Sequence, residues 1–159
     1  MSENTGEQEK QFAIQKLYIK DVSFESPNSP QVFTEHWEPQ VNLNLNSAVQ
    51  SLQNGHYEVA LTVTATVKQG DNTAYLVEVC QAGIFTLVNF PEPELGRMLG
   101  TYCLNVIYPY AREVVSDLVI KGGFPPLLLA PVNFDLLYAK HQAQQAGGID
   151  AAPPSNTIN

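Results

Sequence analysis

The chain has 159 residues, which fits a single domain, and 44% of them are hydrophobic, an ordinary share for a globular protein. Its 16 acidic residues outnumber the 8 basic ones, which gives a formal net charge of −8 at pH 7. This charge disfavours binding to nucleic acid or to an anionic membrane and favours a basic partner. The first ten residues are polar, so we expect no secretion signal and a cytoplasmic protein.

Four stretches have the pattern of β-strands, and all of them precede the predicted helices. The first, Phe12 to Glu25, switches the phase of its apolar residues, which indicates a bulge or burial on both faces. The second, Val41 to Asn46, alternates apolar residues with asparagines, and Tyr57 to Val67 and Thr73 to Val88 follow with a similar alternation. The predicted class is therefore α+β: a four-stranded antiparallel meander sheet followed by a long central helix and a C-terminal helix.

The central helix, Leu95 to Ile120, follows a 3.6-residue period, and we expect it to loosen at Gly100 and Pro109. Its apolar side chains cover far more than the roughly 100° that a surface helix needs. We reject a membrane span, because each charged residue near the bilayer centre would cost about 2.5–3.5 kcal/mol. We expect the sheet to cover one side and a second copy of the protein to cover the other. The predicted interface between copies contains Tyr110, Val115 and Leu118.

The last helix begins after Asn133, a good N-cap, and its apolar stripe starts with Phe134, Leu137 and Tyr138. Gly147-Gly148 ends this helix. The sequence therefore predicts one domain at 12–146 between disordered tails at 1–11 and 147–159.

Residues with the pattern of a catalytic or metal site are scarce. The sequence contains no HExxH, GxSxG or P-loop motif, and its three histidines lack the spacing of metal ligands. Cys80 and Cys103 fit neither a disulfide framework nor a zinc site. A packed thiol is the favoured interpretation of Cys103. We therefore expect a protein that is not an enzyme and that uses no cofactor or metal.

Apolar residues without an evident place in the core are a better functional signal. They lie in the loop with Phe33 and Trp37, in the run Phe124 to Pro131 and on the last helix. Large exposed apolar patches usually mark binding surfaces. The alternative for Trp37 is that its loop is attached to the protein's own core.

Carboxylates around a leucine form the second signal. Leu76 and Glu78 share the polar face of the fourth strand, and Asp21 and Glu25 share one phase on the first. Such a group suits a basic, partly apolar partner, whereas plain solubility is the alternative. The four residues meet if the first and last strands are neighbours.

Four strings carry a specific resemblance: KDVSFESPNSPQVF at 20–33, EVCQAGIF at 78–85, YPYARE at 108–113 and APVNFDLLY at 130–138. In this order and spacing the chain, from about Phe12 to Gln145, resembles the SecB family of protein-export chaperones. The resemblance implies a homotetramer of two dimers, with the long helices between opposing sheets. It also implies an ATP-independent holdase that binds unfolded precursor proteins and delivers them to the SecA translocation ATPase.

The resemblance also assigns residues to two sites. The SecA site falls on Asp21, Glu25, Leu76 and Glu78. The groove for client peptides falls on Trp37, Leu43, Leu45, Phe134, Leu137 and Tyr138. Two departures are visible: Leu104 stands where family members often have proline, and the asparagines of the second strand replace frequent charges. The alternative function is a small-ligand binding protein of the α+β class, in which the same apolar residues line a closed pocket.

Overall fold

The computed structural model describes residues 8–147 and the backbone of residues 157–158. Five strands are β1 Gln11–Glu25, β2 Pro39–Ser51, β3 His56–Gln69, β4 Asn72–Val88 and β5 Thr157–Ile158. Three α-helices are α1 Glu94–Arg97, α2 Cys103–Lys121 and α3 Phe134–Gly147. A short 3-10 helix covers Gln31–Thr34, and a π-helical segment covers Met98–Tyr102.

The two tails that the sequence predicts to be disordered, 1–11 and 147–159, lie mostly outside the described residues. Where the structure describes them, they include regular elements. Gln11 is the first residue of β1, Gly147 is the last residue of α3, and Thr157–Ile158 form β5.

The sheet is antiparallel, with strand order β1-β4-β3-β2-β5. The α+β class and a four-stranded antiparallel sheet before the helices are thus confirmed. The order differs from a simple meander, which covers only β2, β3 and β4. The connection at 26–38 carries the chain across the sheet, so that β1 pairs with β4 and β2 lies on the far side of β3.

β1 contains two register shifts against β4, between Ile14 and Lys16 and between Ile19 and Asp21. Each shift inserts one extra residue, which reverses the alternation of side chains. The phase switches predicted from the sequence are therefore bulges. Because of them, the large aliphatic residues and the phenylalanines of β1 pair with residues on the helix-facing side of β4: Phe12, Ile14, Leu17, Ile19, Val22 and Phe24.

The core lies between this inner face of the sheet and α2, which packs on β4 and β3. Alternate residues of β3 and β4 are buried on the inner face, and those with at most 2% exposure include Val59, Leu61, Val63, Val67, Tyr75, Val77, Val79 and Phe85. The alternation that the sequence predicts in these two strands is thus confirmed. The opposite face of the sheet, the outer face, carries no covering helix within the described residues.

The predicted central helix is divided at the expected glycine, because Gly100 lies in the π-helical segment between α1 and α2. Pro109 stays inside α2. The buried face of α2 has helical spacing and contains Leu104, Ile107, Ala111, Val115 and Val119. Across residues 8–147, no helix is both long and apolar enough to cross a membrane.

One predicted interface residue is wrong. Val115 has no exposed surface and belongs to the protomer's own core. The sequence shows that α2 is apolar on both sides, but its periodicity does not tell which side faces the sheet. Tyr110, by contrast, is 51% exposed, and Leu118 is partly buried.

Candidate functional site

The outer face of the sheet brings together Asp21, Glu25, Leu76 and Glu78, which we call the acidic patch. In the register of β1 and β4, Glu25 lies opposite Leu76, and Asp21 lies opposite Cys80, two residues along β4 from Glu78. Paired residues of antiparallel strands share one face, so all four side chains emerge on the outer face. The prediction that the first and last strands are neighbours is confirmed.

The carboxylates of the acidic patch are open to solvent. Asp21, Glu25 and Glu78 are exposed, while Leu76 is partly buried. Thr64 Oγ1 donates a hydrogen bond to Glu78 Oε2 at 3.2 Å. Among the described residues, no cationic group lies within 4.0 Å of these three carboxylates. The patch is therefore free to accept a cation from a partner.

A neighbouring carboxylate on the outer face is already neutralised. Glu58 accepts hydrogen bonds from Lys20 Nζ at 2.8 Å and from the Tyr18 hydroxyl. The bond from Lys20, followed by the one from Tyr18, holds the pKa of Glu58 below its usual range. The sequence does not predict this cluster of Tyr18, Lys20 and Glu58, because Glu58 lies on β3 and the other two lie on β1. Only the register of the strands brings them together.

The apolar residues of β2 lie on the inner face near the edge of the sheet. Leu43 is partly buried and Leu45 is 5% exposed, so the predicted client residue Leu45 belongs to the core. Val41 and Val49 on the same face are 44% and 49% exposed. Val49 was missed because the alternation of the sequence suggests a strand that ends at Asn46, whereas β2 continues to Ser51.

The loop before β2 forms an aromatic cluster around Phe124, which is 5% exposed. The ring centroid of Trp37 lies 5.5 Å from that of Phe124, and the centroid of Phe33 lies 4.9 Å from it. Trp37 is partly buried, whereas Phe33 is 49% exposed. The loop is thus attached to the protein's own core, and the exposed part of the cluster is mainly Phe33.

The start of α3 holds the remaining predicted client residues. Phe134 is 4% exposed and packs edge-on against Tyr108, with 5.7 Å between ring centroids. Its position in the core argues against direct access for a client. Leu137 and Tyr138 are partly buried, and Tyr138 lies against the π-helical segment. The large apolar side chain exposed on this helix is Leu136, at 51%.

The described residues offer little for catalysis or a closed ligand pocket. Burial raises the pKa of the Cys103 thiol to about 12, which disfavours the reactive thiolate. Within the described part of the chain, no three His, Cys, Asp or Glu side chains are grouped as metal ligands. A cleft of about 390 Å³ between α2 and the run after it is lined partly by Arg112 and Glu113, and Leu128 at its edge is 82% exposed. The cleft is open and has a mixed polar and apolar lining, so it is not an enclosed apolar pocket.

Comparison with known proteins identifies the family of this fold. The family model for SecB, described as preprotein translocase subunit SecB, matches residues 5–145. The chain belongs to the SecB family. A protein-export protein SecB of Methylococcus capsulatus is 64% identical over 152 residues, which cover 92% of this chain and 98% of that protein. The corresponding protein of Nitrosococcus oceani is 58% identical over 140 residues, 87% of this chain and 85% of that protein.

The SecB family consists of protein-export chaperones rather than enzymes, so this chain is a chaperone in preprotein translocation. A SecB-like chaperone of Mycobacterium tuberculosis, solved in complex with a peptide from an antitoxin, has a TM-score of 0.63 to this structure at 19% identity. The match covers 77% of this chain and 91% of that chain. At this identity it shows the shared fold.

Proposed function

We propose that this SecB family member holds unfolded precursor proteins on the inner apolar surface and delivers them to the SecA translocation ATPase through the acidic patch. It acts in the cytoplasm as a homotetramer of two dimers and uses no nucleotide. The observation that supports this proposal is that the acidic patch lies on the outer face of the sheet, while exposed apolar side chains of β2 lie on its inner face. A client and a partner can therefore bind at the same time.

The client surface consists of exposed apolar side chains along β2, the loop before it and the segments after α2. They are Phe33, Val41, Val49, Leu128 and Leu136, with the partly buried Trp37 and Leu43 beside them. Covering apolar area contributes about 25 cal/mol per Å². Ordering an extended client opposes this gain, so a long apolar segment binds better than a short one. Such contacts are not selective for sequence, which suits a holdase.

The SecA surface is the acidic patch. Its three exposed carboxylates attract a basic segment, and Leu76 adds an apolar contact beside Glu25 and Glu78. A single exposed ion pair contributes about 0.2–1 kcal/mol, so the carboxylates have to act together. Binding of this kind weakens as salt screens the charges over about 8 Å at physiological ionic strength.

The assembly is supported by apolar side chains that the protomer leaves uncovered. On and beside α2 they are Tyr102, Tyr110 and Ile120, and on β1 they are Ile14, Ile19 and Val22, all at least 37% exposed. Several exposed apolar side chains of this size favour contact with another protein surface. A second copy that covers α2 and β1 leaves the acidic patch accessible, because the patch lies on the outer face.

The test of the client surface is a double variant, Trp37→Ala with Leu43→Ala. We expect weaker capture of an unfolded precursor, measured by calorimetry, with an unchanged oligomer and far-UV spectrum. The matched control is Leu52→Ala with Ile84→Ala, which removes partly exposed apolar side chains at another place on the sheet and should leave capture unchanged. Equal effects of the two double variants, or a melting temperature that falls as much as the affinity, would contradict the assignment of this surface.

A further inference from the structure

The four long strands form a sheet with β1 at one edge and β2 at the other, and the two edges differ in how they are protected against pairing with another chain. β1 is interrupted by two register shifts and carries Lys16, Lys20, Asp21 and Glu25. β2 pairs with β3 in one unbroken register over 13 residues, and its sequence, PQVNLNLNSAVQS, contains no charged residue. Native proteins protect edge strands with charges, bulges or proline against pairing with other chains. The edge of β2 lacks these devices after Pro39, so it is suited to accept another strand.

The chain's own C-terminal segment occupies part of this edge. Thr157–Ile158 form β5, which pairs antiparallel with β2 so that Ile158 lies opposite Leu43 and Thr157 lies opposite Asn44. The pairing is confined to the middle of β2 and coincides with Leu43 of the proposed client surface. A further strand that follows the whole length of β2 would have to take the place of β5.

We propose that Thr157–Ile158 is an intramolecular competitor of unfolded clients, which pairs with the edge of β2 and has to be displaced before an extended client pairs there. This inference rests on the proposed holdase function and adds main-chain pairing to its apolar contacts. The side chains of Asn42, Asn44 and Asn46 are uncharged, so the edge neither selects nor rejects a client by charge. Main-chain hydrogen bonds are available to a client of any sequence except at proline.

The length of the connection makes such competition effective. Nine residues, 148–156, join the end of α3 to β5. A fully extended connection of that length spans at most about 30 Å, so the segment stays near the edge at a high effective concentration. Two paired residues make a weak contact, whereas a client that pairs along more of β2 makes more hydrogen bonds and wins. If β5 covers the edge for half to four-fifths of the time, it raises the apparent client Kd about two- to fivefold.

The test compares Ile158→Pro with Ile158→Val in the full chain. Proline removes a backbone donor and disrupts strand pairing, while valine keeps a β-branched residue that favours a strand. The probe is a precursor protein kept unfolded by alkylation of its cysteines. We expect its Kd to fall about two- to fivefold for the proline variant and to stay unchanged for the valine variant. Successive backbone N–H groups of a strand point to opposite edges, so only one of Leu43 and Asn44 directs its N–H toward β5. Amide hydrogen exchange at that residue should become faster only in the proline variant.

The affinity and exchange results together test whether β5 competes with clients for the edge of β2. Unchanged affinity together with faster exchange would mean that β5 pairs without competing, and unchanged exchange would mean that it does not hold the edge; either result overturns the inference. These results leave the holdase function intact, because the wild type still binds the precursor. Failure of the wild type to bind the unfolded precursor would instead refute the proposed function, and the competitor role with it.

Discussion

Tyr138 of α3 packs its ring against Gly100 of the π-helical segment. A Cβ atom added at Gly100 would lie 2.6 Å from Tyr138 Cδ2, closer than carbon atoms approach. A Cβ at Gly96, one turn earlier, would lie 3.3 Å from the Tyr138 hydroxyl oxygen. The residues of α3 at 139–146 are exposed. The position of α3 therefore depends on this close approach and on the burial of Phe134.

Gly100→Ala should destabilise the protein, although alanine favours helical structure over glycine by about 0.8–1.0 kcal/mol. The added methyl group meets ring atoms of Tyr138, and overpacking of this kind costs about 1–3 kcal/mol. We expect a net loss of about 1 kcal/mol in the free energy of unfolding, measured with urea, and faster amide exchange in α3.

The control for this variant is a double-mutant cycle. In a Tyr138→Ala background the ring is gone, so Gly100→Ala should stabilise the protein rather than destabilise it. If Gly100→Ala lowers stability equally in both backgrounds, the contact between the two residues is not what makes glycine necessary.

The two faces of α2 should respond differently to a buried charge. Val115→Asp places a carboxylate in the protomer's own core, which costs several kcal/mol, so we expect loss of the folded far-UV spectrum. Tyr110→Asp changes an exposed side chain, so the protomer should stay folded while the proposed tetramer dissociates to a smaller species. Sedimentation velocity and circular dichroism measure both effects. A folded, tetrameric Tyr110→Asp variant would argue against an interface on this part of α2.

Stability should fall as the pH rises above 9, because of Cys103. Burial raises the pKa of its thiol from 9.0 to about 12. The unfolded chain therefore releases this proton at a lower pH than the folded protein, and alkaline pH favours unfolding. One such group lowers the free energy of unfolding by about 1.4 kcal/mol per pH unit between the two pKa values. Urea unfolding at pH 8 and pH 10 measures this loss.

Cys103→Ala is the control for the alkaline effect. This variant loses some packing at every pH, but its stability should depend less on pH between 8 and 10. Burial also raises the pKa of Tyr75 to about 12, but the ordinary pKa of this side chain is 10.0. Tyr75 therefore lowers the free energy of unfolding only at a higher pH than Cys103 does. The same pH dependence in wild type and variant would exclude Cys103 as the cause.

Local patterns predict the four long strands, apart from the end of β2, and the core of the sheet. The alternation in β3 identifies Val59, Leu61 and Val63 as inward residues, and the structure buries all three. The phase switches of β1 indicate bulges that the register contains. Both properties depend on neighbours along the chain, which is why the sequence reveals them.

Non-local placement was harder to predict. The order of the strands depends on where the connection at 26–38 crosses the sheet, and no local signal records that path. The family resemblance assigns Leu45 and Phe134 to the client groove, but packing from distant elements buries both side chains. The acidic patch could be predicted more easily. The phase of each strand shows which residues share a face, and the pairing of β1 with β4 is then enough to bring the four residues together.

The separation of client and partner surfaces is tested most directly at Glu78. Calorimetric titration of wild type, Glu78→Gln and Glu78→Lys should be run with a basic peptide of the SecA tail and, separately, with an unfolded precursor. We expect Glu78→Lys to weaken peptide binding about tenfold, roughly 1.4 kcal/mol, and Glu78→Gln to weaken it less. Client affinity should stay unchanged, because the proposed client surface lies on the inner face. Unchanged peptide affinity, or an equal loss of both affinities, would contradict the assignment of separate surfaces on the two faces of the sheet.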